Sequence, residues 1–315
     1  MPISHIPIQN SENTINAVPK EKKKNDISFQ LTEPEYDLED AILSLSIRNA
    51  VEDAISLVEN NHLIFHEWGL GQVIKNHNLC INLYGPSGTG KTMTAHGIAR
   101  RLQKKLVVVN YAEMESKYVG ETSKNIAALF QFAKENDAVI LFDEADAMLS
   151  KRVTSMQSAA DVSVNQTRNT LLKILDDYTG IVVFTTNFIK NFDMAFFRRI
   201  LSHIRFEMPD EETRQKIWAH YLLPTLPMVK REEILSEICK IDNVTGADIS
   251  NAVLKVAVKA AKYQKKITLE DISEQISKMT TAKLDMEESY EITTRKVSSE
   301  YANRQLGKGE DYEVS

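Results

Sequence analysis

The chain has 315 residues, of which 43% are hydrophobic and 26% are charged, enough for a sizeable core and more than one lobe. Two cysteines are too few for a disulfide framework, and no apolar run reaches the ~20 residues that cross a bilayer. We therefore expect a cytoplasmic protein with no membrane partner. The formal net charge of -6 provides no global basic field, so we expect no nucleic-acid partner either.

The beginning of the chain changes character near residue 35. Residues 1–35 are rich in Asn, Ser, Lys and Pro without sustained periodicity, which predicts a disordered N-terminal arm. Apolar residues then recur at helical spacing from Leu38 to Val58. This spacing predicts a helical lead-in over 36–62.

Residues 63–208 contain five apolar runs that alternate with helix-like stretches. The runs are Leu79–Tyr84, Leu106–Asn110, Ala138–Phe142, Ile181–Thr186 and His203–Phe206. The alternation predicts an α/β fold, a three-layer core around a five-stranded parallel sheet. Beyond Pro209 the periodicity is helical, which predicts a small all-helical lid over 209–282 and a charged C-terminal tail over 283–315.

A glycine-rich motif lies between the first predicted strand and the next helix. It reads G-x-x-x-x-G-K-[ST] and consists of Gly85, Pro86, Ser87, Gly88, Thr89, Gly90, Lys91 and Thr92. Its glycines allow successive N–H groups to turn inward around a phosphate at the positive end of the helix. Lys91 then reaches the β- and γ-phosphates, and Thr92 offers its hydroxyl to Mg²⁺. In this context the motif predicts a nucleotide site, and a chance Gly-rich turn is the alternative.

Two acids follow the third predicted strand. Asp143 and Glu144 come directly after its apolar residues, at the carboxyl end where open α/β sheets bind ligands. Asp143 is predicted to hold the metal through its water shell, and Glu144 to act as general base on the attacking water. A kinase has no need of the second acid, so the pair favours ATP hydrolysis. The alternative is a solvated acidic turn.

Three further polar residues follow in the chain. Asn187 ends the fourth strand, where its amide could hydrogen-bond the γ-phosphate, although an Asn after a strand is usually a turn residue. Arg198 and Arg199 follow a short helical turn. Paired surface arginines are usually solvated, but in a ring of ATPase subunits they can reach a neighbour's γ-phosphate.

With these motifs in this order, the chain resembles the AAA+ ATPases, and within them the classical AAA clade, over 63–279. The resemblance implies a Walker A motif at Gly85–Thr92, a Walker B motif at Val139–Glu144 and sensor 1 at Asn187. It also implies arginine fingers at Arg198 and Arg199, and a lid turn at Gly246 and Ala247 that approaches the nucleotide. The cofactors implied are ATP and Mg²⁺, and the assembly implied is a homo-oligomer, a hexameric ring.

One segment bears on the substrate. Lys117, Tyr118, Val119 and Gly120 resemble the pore loop with which classical AAA unfoldases grip an extended polypeptide. An aromatic face holds any side chain through dispersion, which suits a sequence-tolerant grip. The segment therefore predicts a protein substrate, the alternative being that Tyr118 is a half-buried loop aromatic. A second pore loop is expected in the Ser-rich stretch 150–163.

Several functions stay open within the family. Protein remodelling is favoured over a DNA-associated loader, because the chain shows no basic insertion. The segment Glu67–Gly71 resembles that of single-ring bacterial AAA ATPases. One such group remodels HORMA-domain proteins, including those of antiphage systems, and another accompanies contractile injection particles. The sequence does not decide between them.

Overall fold

The computed structural model describes residues 29–74, 79–110, 122–150, 159–187 and 192–285. Most of the predicted N-terminal arm and of the C-terminal tail lies outside these ranges. Within them, no helix combines the length and the apolarity needed to cross a membrane.

The centre of the molecule is a parallel sheet of five strands. They are β1 (Leu79–Tyr84), β2 (Leu106–Asn110), β3 (Val139–Asp143), β4 (Ile181–Thr186) and β5 (Ser202–Arg205). Their order is β2-β3-β4-β1-β5, and every adjacent pair is parallel. This confirms the predicted sheet, with the third and fifth strands displaced by one residue from the predicted runs.

Helices connect these strands and continue beyond them. They are α1 (Leu45–Glu59), α2 (Lys91–Arg101), α3 (Thr122–Glu135), α4 (Asp146–Leu149), α5 (Ala159–Asp177), α6 (Met194–Phe197), α7 (Glu211–Tyr221), α8 (Arg231–Ile238), α9 (Gly246–Tyr263) and α10 (269–285). A single π-helical turn, Leu63–Glu67, follows α1.

Alternation along each strand divides the core into two apolar layers. Ile81 and Leu83 of β1 face one cluster, which includes residues of α1 and α2. Cys80 of the same strand faces the other, which includes residues of α3 and α5. Strands buried on both faces are typical of a sheet covered by helices on each side. The three-layer prediction is confirmed.

The helices after β5, which the sequence predicts as a lid, have an apolar core of their own. Apolar residues of α7, α8, α9 and α10 pack around the fully buried Trp218. Thr245 caps α9 by accepting a hydrogen bond from the N–H of Asp248 at 3.3 Å, and the Asp248 carboxylate accepts one from the N–H of Thr245 at 2.9 Å. This reciprocal cap fixes the first turn of α9, which carries Gly246 and Ala247.

The lead-in differs from the single helix predicted from Leu38. Leu38–Asp40 forms a 3-10 turn, and α1 begins only at Leu45. At this turn the chain lies close against α2: a Cβ at Gly97 would lie 2.7 Å from the Cα of Leu38. Leu38 is buried there, and 41–44 runs on to the cavity described below.

Candidate active site

The glycine-rich loop joins β1 to α2 through left-handed backbone. Gly88 has φ +78 and Gly90 has φ +96, which other residues adopt only with strain. At Gly85 a Cβ would overlap the carbonyl oxygen of Phe206. The loop therefore requires glycine, and it delivers the chain to the positive end of α2, a site suited to phosphate.

Lys91, the first residue of α2, is 7% exposed and turns its ammonium back into the loop. It donates hydrogen bonds to the carbonyl oxygens of Gly85 and Pro86, each at 2.8 Å, and to Oδ1 of Asn187 at 2.9 Å. Burial lowers the pKa of Lys91, while Asp146, Asp143 and Glu144 act in the opposite direction. The structure thus brings together Lys91 and Asn187, which are far apart in the sequence.

Thr92 and Asp143 also meet. The Thr92 hydroxyl donates to Oδ1 of Asp143 at 2.9 Å, and the Thr185 hydroxyl donates to the same oxygen at 2.5 Å. Mg²⁺ prefers oxygen ligands and is usually held by one or two protein groups together with substrate phosphates and water. A hydroxyl and a carboxylate in direct contact beside a phosphate loop fit that ion.

Glu144 lies just beyond β3 in an unusual backbone conformation. Its φ is +52, in the left-handed region, and its side chain is exposed. Its N–H donates to the Thr185 hydroxyl at 3.0 Å. Such strain persists only where the surroundings hold it, and it is commonest at functional sites.

Two residues that sequence reasoning missed organise this site. Thr185, 2% exposed, holds both acids, and Asp146 accepts hydrogen bonds from the Asn187 N–H at 2.9 and 3.2 Å. The only available signals were a polar residue inside the apolar run of β4 and the third acid of the sequence Asp143-Glu144-Ala145-Asp146.

A cavity of about 410 Å³ surrounds these groups. Its walls come from the phosphate loop, the strand tips, the lead-in from Asp40 to Ser44, and the lid through Ile217 and Tyr221. Gly246 and Ala247 line it as well, and the Ala247 N–H donates to the carbonyl oxygen of Gly88 at 3.2 Å. That hydrogen bond joins the lid to the phosphate loop.

Comparison with known proteins decides the family. The family model described as "ATPase family associated with various cellular activities (AAA)" matches residues 81–208. The proteasome-activating nucleotidase of Methanococcus vannielii is 30% identical over 285 residues, which cover 87% of this chain and 68% of that protein. The chain belongs to the AAA ATPase family.

Other relatives of this AAA ATPase extend beyond the matched part. The chain spans 66% of the proteasome-activating nucleotidase of Methanococcus maripaludis, at 30% identity over 85% of its own length. It spans 42% of the Saccharomyces cerevisiae 26S proteasome regulatory subunit 7 homolog, at 31% identity over 60% of its own length. The crystal structure of the FIGL-1 AAA domain has a TM-score of 0.63 at 22% identity, covering 79% of this chain and 84% of that one, which supports the fold alone.

The two predicted arginine fingers of the AAA ATPase lie outside the cavity lining and differ from each other. Arg199 is held inside its own chain: its guanidinium donates to both carboxylate oxygens of Asp176 at 2.8 and 2.9 Å, and to the Ala195 carbonyl at 3.0 Å. Arg198 is exposed, and no ion pair or hydrogen bond joins its guanidinium to another residue within the described ranges.

The predicted pore loop of the AAA ATPase lies outside the described residues, so Lys117, Tyr118, Val119 and Gly120 stay predictions of the sequence. The same holds for most of the second predicted pore loop, because 151–158 is outside as well.

Proposed function

We propose that this AAA ATPase hydrolyses ATP as a ring and uses the energy to remodel protein substrates through a central pore. One observation carries the chemical part of the proposal. Three separate segments of the sequence line one cavity at the carboxyl edge of the sheet, and they contribute Lys91 and Thr92, Asp143 and Glu144, and Asn187.

Each of these groups has a chemical role that its position suits. Lys91 neutralises charge on the β- and γ-phosphates, starting from a buried position behind the loop. Glu144 accepts a proton from water as the water oxygen bonds to the γ-phosphorus and the bond to the leaving diphosphate breaks. Asn187, which accepts a hydrogen bond from Lys91, orients the γ-phosphate. Thr92 and Asp143 would hold Mg²⁺, which supplies charge neutralisation on the phosphate oxygens.

The ring follows from the position of Arg198. An arginine that serves a phosphate must reach one, and Arg198 is exposed and does not line its own cavity. We infer that it serves the site of a neighbouring subunit, as arginine fingers supplied in trans do in other nucleotide hydrolases. Arg199, already paired with Asp176, has the structural role of the two.

The protein substrate rests on the pore-loop resemblance at Tyr118 and on the names of the relatives. Those names connect the relatives with proteasomes, machines whose substrates are proteins. The more specific hypotheses, a HORMA-domain remodeller of an antiphage system or a partner of a contractile injection particle, gain no support from these relatives. A pull-down with a substrate-trapping variant would identify the substrate directly.

Glu144→Gln is that variant and also tests the chemistry. It should bind ATP normally and lose at least ~10²-fold in turnover, because only the base is removed. Lys91→Ala should instead lose ATP binding. Glu135→Gln, the same change at an exposed acid of α3, is the matched control and should hydrolyse ATP at the wild-type rate. Near wild-type turnover by Glu144→Gln at saturating ATP and Mg²⁺ would refute the assignment.

Tyr118→Ala tests the pore separately. Basal ATP hydrolysis should persist, while stimulation by an unfolded polypeptide such as casein should disappear. Tyr118→Phe should keep the stimulation, since the aromatic face rather than the hydroxyl provides the grip. A parallel fall in basal rate and melting temperature in Tyr118→Ala would indicate a core aromatic instead.

A further inference from the structure

A buried ion pair joins α5 to the segment that carries the arginines. Arg168 in the middle of α5 is 2% exposed in its side chain, and its Nη2 lies 3.4 Å from Oδ2 of Asp193, which is 17% exposed. A buried guanidinium is unfavourable unless it is paired. The Asp193 carboxylate therefore offsets part of the cost of burying the Arg168 guanidinium. The pair also ties the segment before α6 to α5.

Asp193 also determines where α6 begins. Its Oδ1 accepts a hydrogen bond from the N–H of Ala195 at 2.8 Å, which caps the helix, and its own N–H donates to the carbonyl of Leu149 at 2.9 Å. α6 has only four residues, so it has little stability of its own and depends on its cap and on the buried Phe196. Arg198 follows immediately as the C-cap of this helix.

We propose that Arg168 is a positioning residue for Arg198: through its ion pair with Asp193 it fixes α6, and with it the guanidinium offered to the neighbouring subunit. The proposal rests on the trans role of Arg198 inferred above. Asp176, near the end of the same helix, holds Arg199. α5 therefore contacts both ends of the arginine segment, Asp193 through Arg168 and Arg199 through Asp176. Displacement of a catalytic group by about 1 Å can cost ~10²-fold in rate.

The test uses mixed rings, because the proposal places the effect of Arg168 in the subunit that supplies Arg198 and not in the subunit that hydrolyses ATP. Lys91→Ala subunits can donate Arg198 but cannot use ATP, and Arg198→Ala subunits can use ATP but cannot donate. Arg168→Met added to the Lys91→Ala donor should lower the ATPase rate recovered by mixing at least ~10-fold, with little change in KM for ATP. Added to the Arg198→Ala acceptor, it should leave the recovered rate within about twofold.

The asymmetry between the two mixtures distinguishes positioning from mere stability, since both contain the same amount of Arg168→Met. Equal losses in donor and acceptor would overturn the proposal, as would no loss in the donor. Failure of the parent mixture to recover any activity would overturn the trans mechanism itself, and the proposal with it.

Two further variants and a matched control show whether a loss comes from the ion pair or from misfolding. Arg168→Met/Asp193→Asn removes both charges of the pair while Asn still caps α6, so it should fold if the single variant does not, and it should show the same donor-only loss. Arg168→Lys should recover part of the rate. Lys173→Met, an exposed position on α5, is the matched control and should be neutral in both mixtures.

Discussion

The Thr185 hydroxyl holds both acids of the candidate site, so Thr185→Val is a sharp perturbation of it. Valine has nearly the same shape but cannot donate to Asp143, a bond of 2.5 Å, or accept from the Glu144 N–H, a bond of 3.0 Å. A hydrogen bond to a charged group contributes about 1.5–3 kcal/mol. If the transition state uses all of that orientation, kcat should fall ~10–10²-fold.

The assay is steady-state ATP hydrolysis with a melting curve on each variant. KM for ATP should change little, because Lys91 and the glycine loop remain intact. Thr185→Ser keeps the hydroxyl and should retain most of the rate. Thr186→Val is the matched control: this neighbouring hydroxyl, also buried, donates to Asn82 at 3.4 Å rather than to an acid. Full activity in Thr185→Val, or an equal loss in Thr186→Val, would refute the reasoning.

Three other predictions follow from the same contacts. Arg198→Ala should lower kcat ~10³–10⁵-fold and leave the melting temperature unchanged. Arg199→Ala should lower the melting temperature by about 2 °C, because it removes a partly exposed ion pair that contributes about 1 kcal/mol in a chain of this length. The reverse pattern would exchange their roles. Gly88→Ala should weaken ATP binding, because its Cβ would lie 2.7 and 2.9 Å from atoms of the lid, while Gly246→Ala, with its nearest contact at 3.5 Å, should bind ATP normally in the same titration. Burial lowers the pKa of His96, so below about pH 6.5 the unfolded chain binds more protons than the folded chain and the free energy of unfolding should fall as the pH drops. Denaturant titrations at pH 5.5 and 7.5 should show a smaller fall in His96→Asn than in the wild type. Equal falls would contradict this direction.

Local pattern was enough to predict the sheet and the phosphate loop. β1, β2 and β4 begin and end at the predicted residues, because each is a short and predominantly apolar run rich in residues that favour strands. Asp143 and Asn187 could be placed near each other since parallel strands present their carboxyl ends at one edge. Predicted and observed bounds agree for these strands because strand propensity and turn preference depend on neighbours within a few residues.

The rest depended on contacts between distant residues. Thr185 meets Glu144 across 41 positions, a proximity that follows from the pairing of β3 with β4 rather than from its own neighbourhood. Arg199 meets Asp176 across 23 positions, which is why the sequence could not distinguish it from Arg198. The 3-10 turn at Leu38 likewise lies against Gly97 on α2, a contact that the local sequence does not show.

Subunit mixing tests the shared active site most directly. Lys91→Ala and Arg198→Ala should each be nearly inactive alone. Mixed in equal amounts, they should form about one interface in four that pairs an intact ATP site with an intact arginine, and ATP hydrolysis should recover to about that fraction of the wild-type rate. A mixture no more active than the two separate proteins, under conditions where the wild type forms rings and hydrolyses ATP, would contradict the account.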